Sequence, residues 1–473
     1  MDVFVGVDVG GTFTDFSIAI PAQGREILHK VPSTPGAPDS AIVAGLAEAL
    51  ALHAIPADAV VRLAHGTTVG TNALIQRKLG KVALVTTEGF RDLLEIGRQT
   101  RPKVYDIHRD NPKVLVPRDL RFEVAERMRA DGTVHRPLDK ASVARVARKL
   151  LRHKVDCVAI CFLHAHSFPQ HEREAAAILS ALLPESVAVI TSSSVYPEFR
   201  EYERCSTTVL NAALLTVMNA YLDRFTESVR KLGVPAEPTI SQSAGGLMSV
   251  NMARRFPIRS ALSGPAAGAI GAAQRASAAG HQRVVTLDVG GTSADVCLLA
   301  GGAPALVHSR NLAGFPLRLP ALDVNSVGAG GGSIAWIDRD GLLKVGPHSA
   351  GAVPGPACYD RGGTEATVTD ANVLLGRLSG ESLLEGRMRI ERALAERAVG
   401  SLARQLKLDP IETAFGIVSL AWVKSLRIEG GEAELTVTFP PSCGAGQRLA
   451  DAAFQALRGL LPDTDVYVRH DGA

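Results

Sequence analysis

The stretch Val5-Gly6-Val7-Asp8-Val9-Gly10-Gly11-Thr12-Phe13-Thr14-Asp15 returns 280 positions later as Val285-Thr286-Leu287-Asp288-Val289-Gly290-Gly291-Thr292-Ser293-Ala294-Asp295. Apolar residues precede the glycines in both copies, and more follow: Phe16, Ile18 and Ile20 in one, Val296, Leu298 and Leu299 in the other. The pattern predicts strand, Gly-Gly-Thr turn, strand, a hairpin with a polar tip. Two glycines permit positive φ and a close approach of backbone to a ligand. A Thr hydroxyl and successive N–H groups form a concavity suited to phosphate. Asp8 and Asp288, at the strand ends, are placed to hold a hydrated Mg²⁺ beside that phosphate. Asp15 or Asp295 could orient a nucleophile or the metal. A single copy would also describe an ordinary tight hairpin. Two copies point to two similar half-domains facing one nucleotide, with Gly10, Gly11, Thr12, Thr14, Gly290, Gly291, Thr292 and Ser293 as its contacts.

A chain of 473 residues is expected to form two or more domains. Hydrophobic residues make up 46% and charged residues 21%, the balance of an ordinary globular enzyme. The net charge is +3 with no basic block, so nothing suggests nucleic acid or a polybasic membrane anchor. Met1-Asp2-Val3-Phe4-Val5 lacks a charged n-region and reads as a core strand, so no export signal is expected. No apolar run reaches the ~18 residues needed to span a bilayer. The six cysteines are scattered, and Cys157 and Cys161 lack C-x-x-C spacing. They read as reduced core thiols of a cytoplasmic protein.

Further along, residues 40–52 have helical periodicity. A strand at 60–65 leads into His65-Gly66-Thr67-Thr68, then a helix at 73–78. Its hydroxyls could meet an anion at a helix N-terminus or simply cap the helix. Strands are expected at 81–87, 155–162 and 187–190, and a long helix through Asn211 and Met218. Arg91, Arg98 and Arg101 could reach a carboxylate or phosphate, or lie solvated on the surface. His164, His166 and His171 could suggest metal, though their surroundings read as an exposed loop entering a helix. Four glycines of five at 328–332 describe a loop hugging a ligand more than a linker, which adds Gly330 and Gly331 to the nucleotide contacts.

Together these residues resemble the hydantoinase A / 5-oxoprolinase family. The resemblance rests on both Gly-Gly-Thr stretches, His65-Gly66-Thr67-Thr68, Gly89-Phe90-Arg91-Asp92 and Glu198-Phe199-Arg200-Glu201-Tyr202-Glu203-Arg204. It continues through Leu262-Ser263-Gly264-Pro265, residues 328–336 and Pro354-Gly355-Pro356-Ala357-Cys358-Tyr359, and covers roughly residues 3–415. It implies an α/β fold of two actin/hexokinase/Hsp70-like (ribonuclease H-like) half-domains, 1–185 and 186–415. It also implies ATP and Mg²⁺ at Asp8 and Asp288, and ATP-dependent opening of a small cyclic amide such as a hydantoin or 5-oxoproline. His65, Thr67, Thr68 and Arg98 would contact that substrate. A hydantoinase B-type partner and assembly into an oligomer follow from the same resemblance. Related carboxylase subunits use this core to phosphorylate a substrate, and a core that binds nucleotide without turnover is the third alternative.

The family chain normally continues past this point, whereas residues 416–473 read differently. Residues 426–439 form a hairpin around Gly430-Gly431, followed by Pro440-Pro441-Ser442-Cys443, a helix and a strand at 465–468. This small α+β segment, β-β-α-β, resembles the PaaD-like iron–sulfur assembly domain, with Cys443 at that family's cysteine position. A buried cap cysteine is the plainer reading of Cys443.

Overall fold

A computed structural model describes residues 1–34, 36–100, 108, 112–328, 330–384, 386–420, 423–429, 432–437, 451, 454, 455, 458 and 465–470. The chain gathers into two compact units, and neither is continuous in sequence. One holds 1–61, 264–305 and 323–473; the other holds 62–263 and 306–322. Both Gly-Gly-Thr stretches therefore belong to the first unit. The expected boundaries after residues 185 and 415 fall inside these units rather than between them.

In the first unit, strands Val3–Val9, Phe13–Ile20 and Arg25–Pro32 form an antiparallel meander. Alternation turns Val3, Val5, Val7 and Val9 to one face, where each is at most 4% exposed. Helix Pro38–Leu52 covers that face with Ile42, Leu46 and Ala49, all fully buried. The helix approaches closely because residue 45 is glycine: a Cβ there would lie 2.6 Å from the Phe16 ring and 2.9 Å from Val31. The second hairpin pairs Arg283–Val289 with Ala294–Ala300, and Val324–Val327 adds to the far side of Ala294–Ala300. Helices Val368–Leu374, Arg392–Leu406 and Pro410–Leu420 build the core that buries Val296. The two copies are finished differently. Val285, Leu287 and Val289, counterparts of Val5, Val7 and Val9, are 43%, 55% and 51% exposed.

The second unit is built on a four-stranded parallel sheet, ordered Ala188–Thr191, Cys157–Cys161, Val82–Thr87, Arg121–Val124. Both faces are covered, which is why Cys157-Val158-Ala159-Ile160-Cys161 is apolar without alternation. Helix Glu201–Lys231 runs through this unit. By length and composition it could cross a membrane, but 78% of its most apolar window is buried within the protein. Arg204, fully buried, donates to Ser192 Oγ at 3.0 Å, Glu198 O at 3.0 Å and Phe162 O at 2.7 Å. Nearby Glu172 accepts from Ser192 Oγ at 2.6 Å and from the N–H groups of Ser193 and Phe162 at 2.9 and 3.0 Å. The residues 198–204 thus anchor the long helix. Strand Val60–Thr67 pairs parallel with Thr239–Ser241, which turns back antiparallel into Leu247–Ser249.

At the end of the chain, Val423–Glu429 pairs antiparallel with Glu432–Val437, and Asp465–His470 joins parallel to the latter. The expected hairpin and final strand are thus in place. Cys443, Gly430, Gly431 and Arg101 lie outside the described residues. Cys157, Cys161, Cys205, Cys297 and Cys358 are buried thiols outside any disulfide.

Gly45→Ala tests the helix contact. Although alanine favours helix, overpacking against Phe16 should lower stability by about 1–3 kcal/mol in urea denaturation. Unchanged stability would show that the ring has room to yield.

Candidate active site

Both hairpins close with the same bond. Gly10 N–H donates to the Phe13 carbonyl at 2.9 Å, and Gly290 N–H to the Ser293 carbonyl at 2.8 Å. The shared register sets Asp8 opposite Asp15 and Asp288 opposite Asp295. Alternation places these carboxylates on the face away from the valine row. The tips then meet. A Cβ on Gly291 would fall 2.0 Å from Thr12 Oγ1, and one on Gly11 would lie 3.8 Å from the Thr292 side chain. Each tip's glycine faces the other tip's threonine.

The glycine-rich loop closes on the second tip. Gly331 and Gly332 N–H groups donate to the Gly290 and Gly291 carbonyls at 2.9 and 2.6 Å. A Cβ on Gly330 would lie 2.6 Å from Thr292 N. Thr369 braces the loop by donating its N–H and Oγ1 to Gly331 O at 2.7 and 2.9 Å. Helix Ser263–Ala278 supplies a further wall. The Cβ position of Gly264 is 3.1 Å from Asp8 Oδ1, and that of Gly268 is 3.9 Å from Asp288 Oδ2. These glycines are about one helical turn apart, so the helix's positive end passes both carboxylates without an intervening side chain.

Asp8 shows the electrostatic result. Withdrawal from water, then the charges of Asp15, Asp288 and Asp295, push its pKa up to about 6, with Lys30 opposing them. The residue nevertheless keeps surface open to solvent, so a ligand can reach it. Asp295 is also raised, by burial and by Asp288, against a hydrogen bond donated by Ser326 Oγ. Lys30 Nζ lies 2.8 Å from Asp15 Oδ1. Thr12 is 8% exposed, and among the described residues its Oγ1 has no hydrogen-bond partner. An orphaned hydroxyl in a glycine cradle beside four carboxylates fits a phosphate carrying a divalent cation. Among the described residues, no three His, Cys, Asp or Glu converge on a metal position.

Two family models match the chain: Hydantoinase/oxoprolinase N-terminal region over residues 4–183, and Hydantoinase/oxoprolinase over 204–427. The chain belongs to the hydantoinase/oxoprolinase family. Its match runs to 427, into the first strand of the terminal hairpin and past the expected limit of 415. The chain is similar to an uncharacterised protein of Methanocaldococcus jannaschii, 38% identical over 98% of this chain and 74% of that one. It is similar to caprolactamase subunit alpha of Pseudomonas jessenii, 40% identical over 88% of this chain but only 60% of that subunit. The crystal structure of the ATP-dependent caprolactamase matches at TM-score 0.73, 38% identity, 88% of this chain and 61% of that one. Nucleotide-free acetone carboxylase matches at TM-score 0.78, 26% identity, 98% of this chain and 63% of that one. The chain thus spans about three fifths of these enzyme subunits.

In this hydantoinase/oxoprolinase family member, Asp8, Asp15, Asp288, Asp295, Gly11, Thr12, Gly290, Gly291, Thr292 and Gly330 come together in the first unit. Thr14 lies on the buried face, where its Oγ1 is 3.0 Å from Ser33 Oγ, which in turn donates to Gly10 O at 2.9 Å. It supports the turn from behind. Ser293 closes its turn through its carbonyl, and Gly331 contributes backbone bonds to Gly290 and Thr369. His65, Thr67, Thr68 and Arg98 belong to the other unit. His65 is fully buried with Nε2 2.5 Å from the Tyr221 hydroxyl. Thr67 Oγ1 accepts from Val69 N–H at 3.2 Å, and Thr68 Oγ1 from Asn72 Nδ2 at 3.4 Å, so both brace the start of helix Val69–Ile75. Arg98 grips Glu203 through Nε at 2.8 Å and Nη2 at 2.6 Å. His171 Nδ1 is 2.8 Å from Glu126 Oε2 inside the same unit. Sequence reading missed Lys30, Ser326 and Thr369. Gly264 and Gly268 carried a signal, in a Ser-Gly turn that leads into an Ala/Gly-rich helix whose small residues permit a close approach.

The raised Asp8 pKa means the folded chain holds that proton more tightly than the unfolded one. Without divalent cation, stability present below the ordinary value of 3.8 should decline as pH rises through about 6. Asp8→Asn should flatten this decline, and Mg²⁺ should raise the thermal midpoint above pH 6 but not below pH 4. A wild-type midpoint indifferent to Mg²⁺ at every pH would remove the carboxylates as a cation site.

Proposed function

We propose that this chain is the nucleotide-using part of an ATP-dependent enzyme that opens cyclic amides of the hydantoin or 5-oxoproline type. The observation that carries the reading is the meeting of the two tips, with Thr12 orphaned beside four carboxylates. Family membership and the likeness to caprolactamase subunit alpha support the substrate class. The fold would be of the actin/hexokinase/Hsp70 type, its two halves each led by one hairpin and both hairpins lying in the first unit. Bound ATP with Mg²⁺ supplies a phosphoryl group that turns an amide oxygen into a leaving group. Asp8 and Asp288 would hold the cation. The N–H groups and hydroxyls of Gly10, Gly11, Thr12, Gly290, Gly291 and Thr292 would hold phosphate oxygens. Gly330 and Gly331 keep the second tip in shape. Asp15, checked by Lys30, or Asp295, checked by Ser326, would orient the attacking group. The name of the similar caprolactamase subunit supports a multi-subunit assembly, here with a hydantoinase B-type partner in the cytoplasm.

A carboxylase subunit is the second reading, favoured by the acetone carboxylase match. Mg²⁺-dependent ATP hydrolysis, measured with hydantoin, 5-oxoproline or caprolactam and a hydantoinase B-type partner, separates the two. Stimulation by a cyclic amide in water supports the amidohydrolase, and a requirement for bicarbonate supports the carboxylase. Asp8→Ala and Asp288→Ala should each lower the rate about 100-fold or more. A rate unchanged by both would sink the catalytic assignment.

A further inference from the structure

Beside the edge strand Arg25–Pro32, the first unit holds a cavity of about 540 Å³. That lies within the ~300–1,000 Å³ range of small-molecule sites. The charges lining it come in couples of opposite sign. Arg387 Nη1 lies 3.0 Å from Glu48 Oε1, and Arg389 Nε 2.7 Å from Glu391 Oε1. Asp360 and Arg361 add one more of each sign. Lys30, also lining the cavity, reaches out to Asp15. The intervening wall is Tyr359, Leu384 and Met388. Asp370 accepts from the N–H groups of Cys358 at 2.8 Å and Ala357 at 3.2 Å, so the loop carrying Tyr359 is held before any ligand arrives. This gives Pro354-Gly355-Pro356-Ala357-Cys358-Tyr359 a role that the phosphate turns do not require.

A wholly anionic ligand would meet three carboxylates here, and a wholly cationic one would meet four cations. A zwitterion with an aliphatic spacer satisfies both signs and lays its methylenes on the apolar wall. The couples are solvent-exposed, with Arg389 84% and Glu48 50% exposed, so exchanging a partner for a ligand group costs little. We propose that this cavity binds a free amino acid whose ammonium and carboxylate are separated by a short aliphatic chain, the class of molecule that hydrolysis of a lactam such as 5-oxoproline or caprolactam releases. The binding chemistry stands on the cavity alone; its place in turnover rests on the cyclic-amide reading. A ligand carboxylate at Lys30 competes with Asp15 for the same ammonium, so occupancy is felt at the hairpin that carries Asp8.

The test is calorimetric titration of the full chain, without nucleotide, with 6-aminohexanoate, L-glutamate, and hexanoate and hexylamine as one-charge controls. The zwitterion 6-aminohexanoate should bind at least about tenfold more tightly than either control. Arg361→Ala, at an exposed position, should weaken it by about tenfold while leaving the thermal midpoint and the amino-acid-free ATPase rate unchanged. Absence of binding, equal binding of the controls, or equal binding by Arg361→Ala overturns the proposal. Selective binding by a chain that turns over no cyclic amide sinks the cyclic-amide reading and leaves the cavity standing. Turnover without binding overturns the cavity alone.

Discussion

Two backbone turns in the first unit approach so closely that one position between them has no room for a methyl group. Gly291 faces Thr12 at a distance a Cβ would fill, and the rest of the site depends on that approach. It brings four carboxylates from distant parts of the chain into mutual repulsion. It also leaves the Thr12 hydroxyl without a hydrogen-bond partner among the described residues. A fold tolerates such a cluster where a ligand's charge will offset it. The cation and phosphate proposed for this site would offset that charge.

The surrounding parts keep the approach rigid. The glycine loop and Thr369 pin the second tip through backbone bonds, which need no particular side chain, only its absence. Ser33 and Thr14 pin the first tip from its buried side. Helix Ser263–Ala278 passes Asp8 and Asp288 on a glycine face, placing its positive end where negative charge collects. Lys30 and Ser326 each engage one outer carboxylate, and the inner pair, Asp8 and Asp288, is the one proposed to hold the cation.

Much of this was legible in residue order. The hairpins, their register and the paired aspartates follow from alternation and the Gly-Gly-Thr turn, which are local rules. The parallel strand at Cys157–Cys161 was legible for a similar reason: a run apolar on both faces needs cover on both. The candidate contacts at His65, Thr67, Thr68 and Arg98 show the limit. A histidine, a threonine or an arginine offers the same donors to a substrate as to a buried tyrosine, a helix start or a glutamate. Which one it meets is set by residues such as Tyr221 and Glu203, more than a hundred positions away. Lys30 was invisible because its partner is chosen by strand register, not by spacing.

By itself, then, the sequence determined the two turns and their carboxylates, because glycine, threonine and aspartate restrict the backbone and its chemistry within a few residues. It also established the family, through motifs held in one order along most of the chain. Tertiary structure alone decided that both turns lie in one discontinuous unit, and that the repeat is buried in one copy and open in the other. Val5, Val7 and Val9 have a helix over them, whereas Val285, Leu287 and Val289, equally apolar, stand exposed. Hydrophobic side chains state a demand for burial. Only the packing of distant segments settles where that demand is met.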